Sequence, residues 1–130
     1  MSPGETLPEQ EYAVTRADLV RYAGASGDLN PIHWSDRVAQ SVGLPGVIAH
    51  GMYTLALVGR AVAEWTGGAE VVDIGAKFTS PVVVPAEGGA EVVVGGTVKS
   101  VADGLVTLAL EVALADGTVT LAGDAVVALP

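Results

Sequence analysis

Three apolar stretches near the C-terminus, residues 90–101, 105–115 and 118–129, are joined by Asp103-Gly104 and Asp116-Gly117. An Asp-Gly pair between alternating stretches is a strong hairpin signal, because both residues tolerate the positive φ angles a tight reversal needs. The middle stretch alternates clearly: Val106, Leu108, Leu110, Val112 and Leu114 share one face, and Thr107 and Glu111 lie on the other. Residues 71–79 are a fourth strand candidate, which Pro81 interrupts. The chain is thereby committed to an antiparallel meander with an apolar face that something must cover.

The cover is residues 51–65, which read Gly-Met-Tyr-Thr-Leu-Ala-Leu-Val-Gly-Arg-Ala-Val-Ala-Glu-Trp. This stretch is apolar on nearly every face until Arg60 and Glu64, as befits a buried helix. It falls short of the roughly 20 apolar residues needed to cross a bilayer. The expected class is α+β, an antiparallel sheet curled around a long buried central helix. A sheet covers one side of such a helix, and the aliphatic residues left over predict pairing of two copies. Half of the residues are apolar but only 5% are aromatic, so the interior is expected to be Val, Ala and Leu. The 130 residues suffice for one domain, 1–130, with polar residues 1–11 as an extended lead-in.

Fifteen acidic against six basic side chains give a net charge of −9. That argues against nucleic acid and anionic membrane surfaces, which are held by clustered Lys and Arg. The absence of cysteine removes disulfides and thiolate nucleophiles. The start, Met1-Ser-Pro-Gly-Glu5, has neither a basic n-region nor an apolar h-region, so a cytoplasmic location is expected.

Upstream of the central helix, Thr15-Arg-Ala-Asp18 has the form of an N-cap with an acid three residues on. A helix over 17–25 follows, and Gly27 stops it. Asn30 is expected to cap a second helix, with Pro31 at its first position, running to Val42 before Gly43. Between these helices the segment Tyr22 to His33 puts a carboxylate, Asp28, and an imidazole, His33, on backbone stiffened by Gly27 and Pro31. An acid and a base held on one rigid segment suit the addition or elimination of water. Pro31 restricts Asn30 to extended conformations and so fixes the bend between the two groups.

Ser26-Gly-Asp-Leu-Asn-Pro-Ile-His33 resembles the signature of the (R)-specific enoyl hydratases, the MaoC-like dehydratases of hot-dog fold. The pattern there is glycine, aspartate, any residue, asparagine, proline, an aliphatic and histidine, and each position is filled here. Ile48-Ala-His-Gly-Met52 resembles the segment leading into that family's central helix. The likeness runs from about Tyr12 to Leu129. It is similar to the small single-hot-dog members, among them the B-type subunits of mycobacterial 3-hydroxyacyl-carrier-protein dehydratases, also around Lys77-Phe-Thr79 and Val98-Lys-Ser100.

The resemblance implies a hydro-lyase acting on trans-2-enoyl or (R)-3-hydroxyacyl thioesters of coenzyme A or acyl carrier protein. Removing water takes a base at the C2 proton, an acid at the C3 hydroxyl and a donor for the charge on the thioester oxygen. Such acid–base groups typically contribute ~10²–10⁴-fold. Asp28 and His33 are the implied catalytic pair, provisionally with His33 as base and Asp28 as acid; the sequence leaves the order open. Gly51 opens the central helix, where free N–H groups and the positive dipole end meet, and is the candidate oxyanion donor. Asn30 and Met52 are further candidate substrate-side residues, Asn30 alternatively serving only as a cap. No metal or redox cofactor is implied, and the expected partner is a second copy or a related hot-dog subunit.

Competing readings of the residues are weaker. His50 is expected to be structural, packing or hydrogen-bonding at the helix start. Two histidines seventeen residues apart, without cysteine partners, make no recognisable metal set. Ser26 lacks the Gly-x-Ser-x-Gly elbow of serine hydrolases. Gly95-Gly96 within a strand pattern predicts a bulge or bend. A thioesterase on the same fold would need a carboxylate from the central helix, which offers only Glu64 near its far end. A non-enzymatic acyl-binding subunit is the remaining alternative, and the presence of both Asp28 and His33 weighs against it.

Overall fold

Both Asp-Gly pairs reverse the chain in the computed structural model, which describes residues 1–129. Asp103 (φ 54°) and Gly104 (φ 76°) are both left-handed, as in the two-residue turns whose twist matches that of the flanking strands. They join β3 (Ala90–Ala102) to β4 (Leu105–Leu114). The second reversal uses Gly117 (φ 89°), whose N–H donates to the Leu114 carbonyl at 2.9 Å before β5 (Val119–Ala128) begins. β2 (Glu70–Phe78) pairs with the other side of β5. Val106, Leu108, Leu110 and Val112 of β4 are all buried, as the alternation predicts.

The extended lead-in expected over residues 1–11 is from Thr6 onward a strand of the sheet. β1 (Thr6–Val14) pairs with β3 and completes a five-stranded antiparallel sheet in the order β1-β3-β4-β5-β2. Leu7, Tyr12 and Val14 are buried and anchor it. An edge strand can carry Glu9, Gln10 and Glu11 because one of its faces and one of its edges meet water. Pro8 is accommodated by a register shift between Leu7 and Gln10, where no ladder N–H is required. That irregularity lies across from Gly95 and Gly96, so the expected bulge falls on the partner strand. Gly96 itself makes room for an indole: an added Cβ would come within 2.9 Å of Trp65 Cζ3. Trp65 Nε1–H in turn donates to the Pro8 carbonyl at 2.7 Å.

Helix α1 (Arg16–Ser26) opens on a reciprocal cap, Thr15 N–H to Asp18 Oδ2 at 2.9 Å and Asp18 N–H to Thr15 Oγ1 at 3.2 Å. Gly27 ends it in the left-handed region. The single second helix expected from Asn30 to Val42 is divided. A 3₁₀ turn, Pro31–His33, is capped by Asn30, and α2 (Asp36–Ser41) starts afresh with Ser35 Oγ accepting the Val38 N–H. Trp34 leaves helical geometry (φ −148°, ψ −6°), and Ser35-Asp36 supplies a second N-cap with an acid in the first turn.

Helix α3 (Gly51–Thr66) buries Leu57, Val58, Ala61 and Val62 in one cluster with Val92, Val94, Leu108 and Val127 of the sheet. Each Leu or Val among them withdrawn from water contributes about 1.5–3 kcal/mol. Its other face, with Met52, Ala56, Arg60 and Ala63, is exposed in the single chain. This is the hot-dog arrangement of helix and sheet. Among the described residues no helix is long and apolar enough to cross a membrane.

Candidate active site

Beyond Gly27 the chain is shaped by short polar side chains, each reaching the backbone N–H two residues ahead. Ser26 Oγ accepts from Asp28 N–H at 3.2 Å, Asp28 Oδ1 from Asn30 N–H at 3.3 Å, and Asn30 Oδ1 from Ile32 N–H at 3.2 Å. Ser, Asp and Asn favour such turns because their oxygens stand in for a backbone carbonyl. Trp34 Nε1–H closes the loop on the Leu29 carbonyl at 3.1 Å. Asp28 engages the turn through Oδ1 and presents Oδ2 to His33 Nε2 at 3.8 Å.

The His33 ring is buried, whereas the Asp28 side chain is 52% exposed. His33 Nδ1 lies 2.7 Å from the Ile48 carbonyl oxygen. A carbonyl only accepts, so Nδ1 carries the proton and Nε2 holds the lone pair of the neutral ring. The 3.8 Å separation is too long for a direct hydrogen bond and fits one bridging water or hydroxyl oxygen.

The backbone behind His33 is held by a buttress. Ile48 N–H donates to the Ile32 carbonyl at 3.1 Å and Ala49 N–H to the Val82 carbonyl at 2.9 Å. Arg16 reaches Asp36 through two bonds of 2.8 and 3.0 Å and the Val84 carbonyl through Nε at 2.8 Å. Asp36 Oδ1 also accepts the Val47 N–H at 3.0 Å. The Arg16 guanidinium, then the Val47 N–H, hold the Asp36 carboxyl below the usual carboxylate range. α1, α2 and the strand-like segments around Val47 and Val84 thus meet at one ion pair.

His50 packs and hydrogen-bonds at the start of α3, as expected, and its partners are the acid and the base themselves. Its ring stacks on His33 with centroids 3.7 Å apart and planes 21° from parallel. Its Nε2–H donates to the Asp28 carbonyl at 3.2 Å. Burial pushes its pKa below the ordinary value, the bond to Asp28 opposing and the nearby His33 adding to the shift. Nothing in a seventeen-residue spacing announces this contact. Asp28, His33 and His50 bring potential ligand atoms within 4.8 Å of one another. Stacked rings, however, set their in-plane lone pairs side by side, whereas a tetrahedral metal set aims them at one point. The arrangement suits proton transfer better.

His50 makes no side-chain cap on α3, and the first helical bonds run from Tyr53 and Thr54 N–H to the His50 carbonyl. The N–H groups of Gly51 and Met52 precede that turn and have no intrahelical acceptor. Gly51 lines a cleft of about 300 Å³ together with Ile48, Ala49, Thr54, Phe78 and Thr120. Asp28 and His33 are not part of its wall; the link is Ile48, whose carbonyl accepts the hydrogen bond from His33 Nδ1–H. The space beside Gly51 is filled by Phe78, whose Cζ lies 3.1 Å from where a Cβ would be. Close packing of that ring is therefore one reason for glycine here. Asn30 acts in the loop as a cap, and Met52 is 59% exposed and outside the cleft. A larger open hollow of about 550 Å³ lies along β1, β3 and β4 and brings Glu9 and Glu111 but no histidine.

Residues 2–116 match the family model described as MaoC like domain. The chain is 39% identical over 83 residues to 3-hydroxyacyl-thioester dehydratase X of Mycobacterium tuberculosis, a stretch covering 63% of this chain and 29% of that protein. A solved structure described as a MaoC-like dehydratase superposes with a TM-score of 0.95 at 33% identity, over 100% of this chain and 41% of its own. An R-hydratase from Pseudomonas aeruginosa gives 0.88 at 27% identity, over 100% of this chain and 83% of its own. The chain thus spans less than half the length of the first two relatives. With the central helix, strands β1 to β4 and the Asp28/His33 loop all inside the matched residues, this chain belongs to the MaoC-like domain family.

Proposed function

We propose that this chain hydrates trans-2-enoyl thioesters and, in reverse, dehydrates (R)-3-hydroxyacyl thioesters carried on coenzyme A or acyl carrier protein. The observation that carries this reading is the His33 ring, fixed by Ile48 so that its Nε2 faces Asp28 Oδ2 across 3.8 Å. In the hydration direction a water held between them attacks C3. The Asp28 carboxylate takes one of its protons, the C2–C3 π electrons move toward the thioester, and His33, which enters this direction with a second proton on Nε2, delivers that proton to C2. Asp28 is left as the acid and His33 neutral, the state from which dehydration starts. In dehydration His33 takes the C2 proton and the Asp28 carboxylic acid protonates the departing hydroxyl. The uncapped N–H of Gly51 is the donor for the enolate-like oxygen, an interaction worth ~3–4 kcal/mol in a water-excluded site. Neither step calls on a metal or redox cofactor.

The active assembly is a dimer, of two copies or of this chain with a related hot-dog subunit. The exposed face of α3 and the edge strand β2, with Val71, Val72 and Phe78 exposed, support this. A cytoplasmic setting is part of the same proposal.

The test is incubation with crotonyl-CoA, following enoyl absorbance with a thiol reagent in parallel. Loss of absorbance without free thiol is expected. Free thiol as the product would overturn the reading in favour of a thioesterase. Inactivity of the dimer on enoyl groups of several lengths on both carriers would overturn it outright.

A further inference from the structure

Both nitrogens of His50 are accounted for without substrate. Nε2–H is spent on the Asp28 carbonyl at 3.2 Å, and Nδ1 is enclosed without a hydrogen-bond partner. The ring is itself clamped: Tyr22 of α1 meets it edge-on at 4.8 Å, and Tyr53 of α3 meets Tyr22 at 5.3 Å. One face of this clamped ring lies on His33 at 3.7 Å.

We propose that His50 is a positioning residue which sets the gap between the acid and the base, holding the Asp28 backbone through its Nε2–H and the His33 ring plane through its face. This rests on the hydratase reading above. The Ile48 bond fixes one atom of the His33 ring, and a ring held at one atom can still rock about that bond. Stacking on His50 removes that freedom. The Asp28 turn is otherwise secured by local bonds of 3.1 to 3.3 Å between exposed residues, and His50 is what ties it to the start of α3. One residue therefore registers both reacting groups against the helix terminus bearing the Gly51 N–H.

The role requires a neutral His50. A proton on Nδ1 would meet no acceptor, and it would put a second positive charge against the His33 imidazolium that the reaction forms. The titratable groups facing the ring are Asp28 from the loop, His33 from the 3₁₀ turn and Tyr22 from α1, with Tyr53 of α3 behind Tyr22. Burial, which holds the His50 pKa down, agrees with neutrality.

Two substitutions separate the two holds. His50→Gln keeps an N–H donor and loses the ring face; His50→Phe keeps the face and loses the donor. Each is expected to lower kcat about 10- to 100-fold, as sub-ångström misplacement of reacting groups does. KM should stay within about threefold, since His50 touches no substrate. Imidazole nitrogen NMR of the wild-type protein should show neutral His33 as its Nδ1–H tautomer and His50 as its Nε2–H tautomer. In His50→Gln the Ile48 bond keeps the His33 tautomer, and the ring signals of His33 should broaden as the ring begins to rock. Wild-type kcat in both variants would overturn the proposal, and so would a His50 that is charged or protonated on Nδ1. The wild-type spectrum decides even if a variant does not fold. A wild-type protein with these tautomers but no hydratase activity would sink the functional reading and leave the tether between the rings intact.

Discussion

The ring of Phe78 stands where a side chain on Gly51 would go, with Cζ 3.1 Å and Cε1 3.2 Å from the place of an added Cβ. Two substitutions distinguish a glycine kept for this ring from a glycine kept for its N–H. Gly51→Ala crowds Phe78, which is half-exposed and free to swing, at a stability cost of about 1 kcal/mol. Gly51→Pro crowds the same ring and also removes the N–H. Proline is tolerated at a first helical position, and His50 before it (φ −61°, ψ 133°) already has the conformation a pre-proline residue adopts. Both variants should fold, as thermal melts will check. The proline variant should hydrate crotonyl-CoA about 10²–10³-fold more slowly than the alanine variant, the scale of one oxyanion donor. Equal rates would remove Gly51 from the oxyanion site.

The Arg16–Asp36 pair gives the fold an acid-sensitive joint. Arg16→Met strips the guanidinium from the Val84 carbonyl and from the Asp36 carboxylate, which keeps only the Val47 N–H, and should lower Tm by roughly 5 °C or more. The sign of the pH effect follows from the lowered pKa of Asp36. Its contribution is fully present above the ordinary carboxylate value of the unfolded chain and is lost as pH falls through the lower folded value. Tm measured from neutral to strongly acidic pH should therefore fall more steeply for the wild type than for Asp36→Asn. Asp18 and Asp116, also lowered by hydrogen bonds to Thr15 and Thr118, act in both proteins and cancel in the comparison.

What could be read from the sequence was what neighbouring residues decide. The Asp-Gly turns, the Thr15–Asp18 cap, the Gly27 stop and the Asp28-x-Asn30 turn are all closed by atoms a few positions apart, and the acid and base come together through that local chemistry. β1 was hidden because its polar residues face water at an edge, and what recruits it, the burial of Leu7 and Tyr12, depends on a strand some eighty residues later. The break at Trp34 was masked by a pattern that suits one long helix. His50 against His33, and Phe78 over Gly51, are meetings of distant segments for which spacing carries no signal.

The same non-local logic makes Gly96 a sharp test of the sheet. An added Cβ would fall 2.9 and 3.0 Å from Trp65 Cζ3 and Cη2 and 3.3 Å from Leu7 Cδ1. The indole cannot simply retreat, because Nε1–H is engaged with the Pro8 carbonyl. Gly96→Ala should destabilise the fold by about 1–3 kcal/mol, the usual scale of overpacking. Urea titration followed by far-ultraviolet circular dichroism will measure it. Gly95→Ala next to it, where a Cβ meets nothing within 4 Å, is the control and should fall well short of that loss.

Asp28 and His33 should prove equal in catalysis and unequal in stability. Each supplies one end of a proton path, so Asp28→Asn and His33→Ala should each reduce hydration of crotonyl-CoA at least about a hundredfold, with the fold retained. Asp28 is half-exposed and its asparagine replacement keeps an oxygen for the Asn30 N–H, so Tm should stay near that of the wild type. His33 is buried, donates to Ile48 and stacks on His50. Its loss strands a carbonyl and opens a gap beside His50, at a cost of about 1–3 kcal/mol. Because both groups act together on one water and one substrate in a single addition, the double variant should be only slightly slower than either single one, as for residues acting as a unit. If the two losses instead multiply, Asp28 and His33 work independently, and the 3.8 Å gap between them is not where the water reacts.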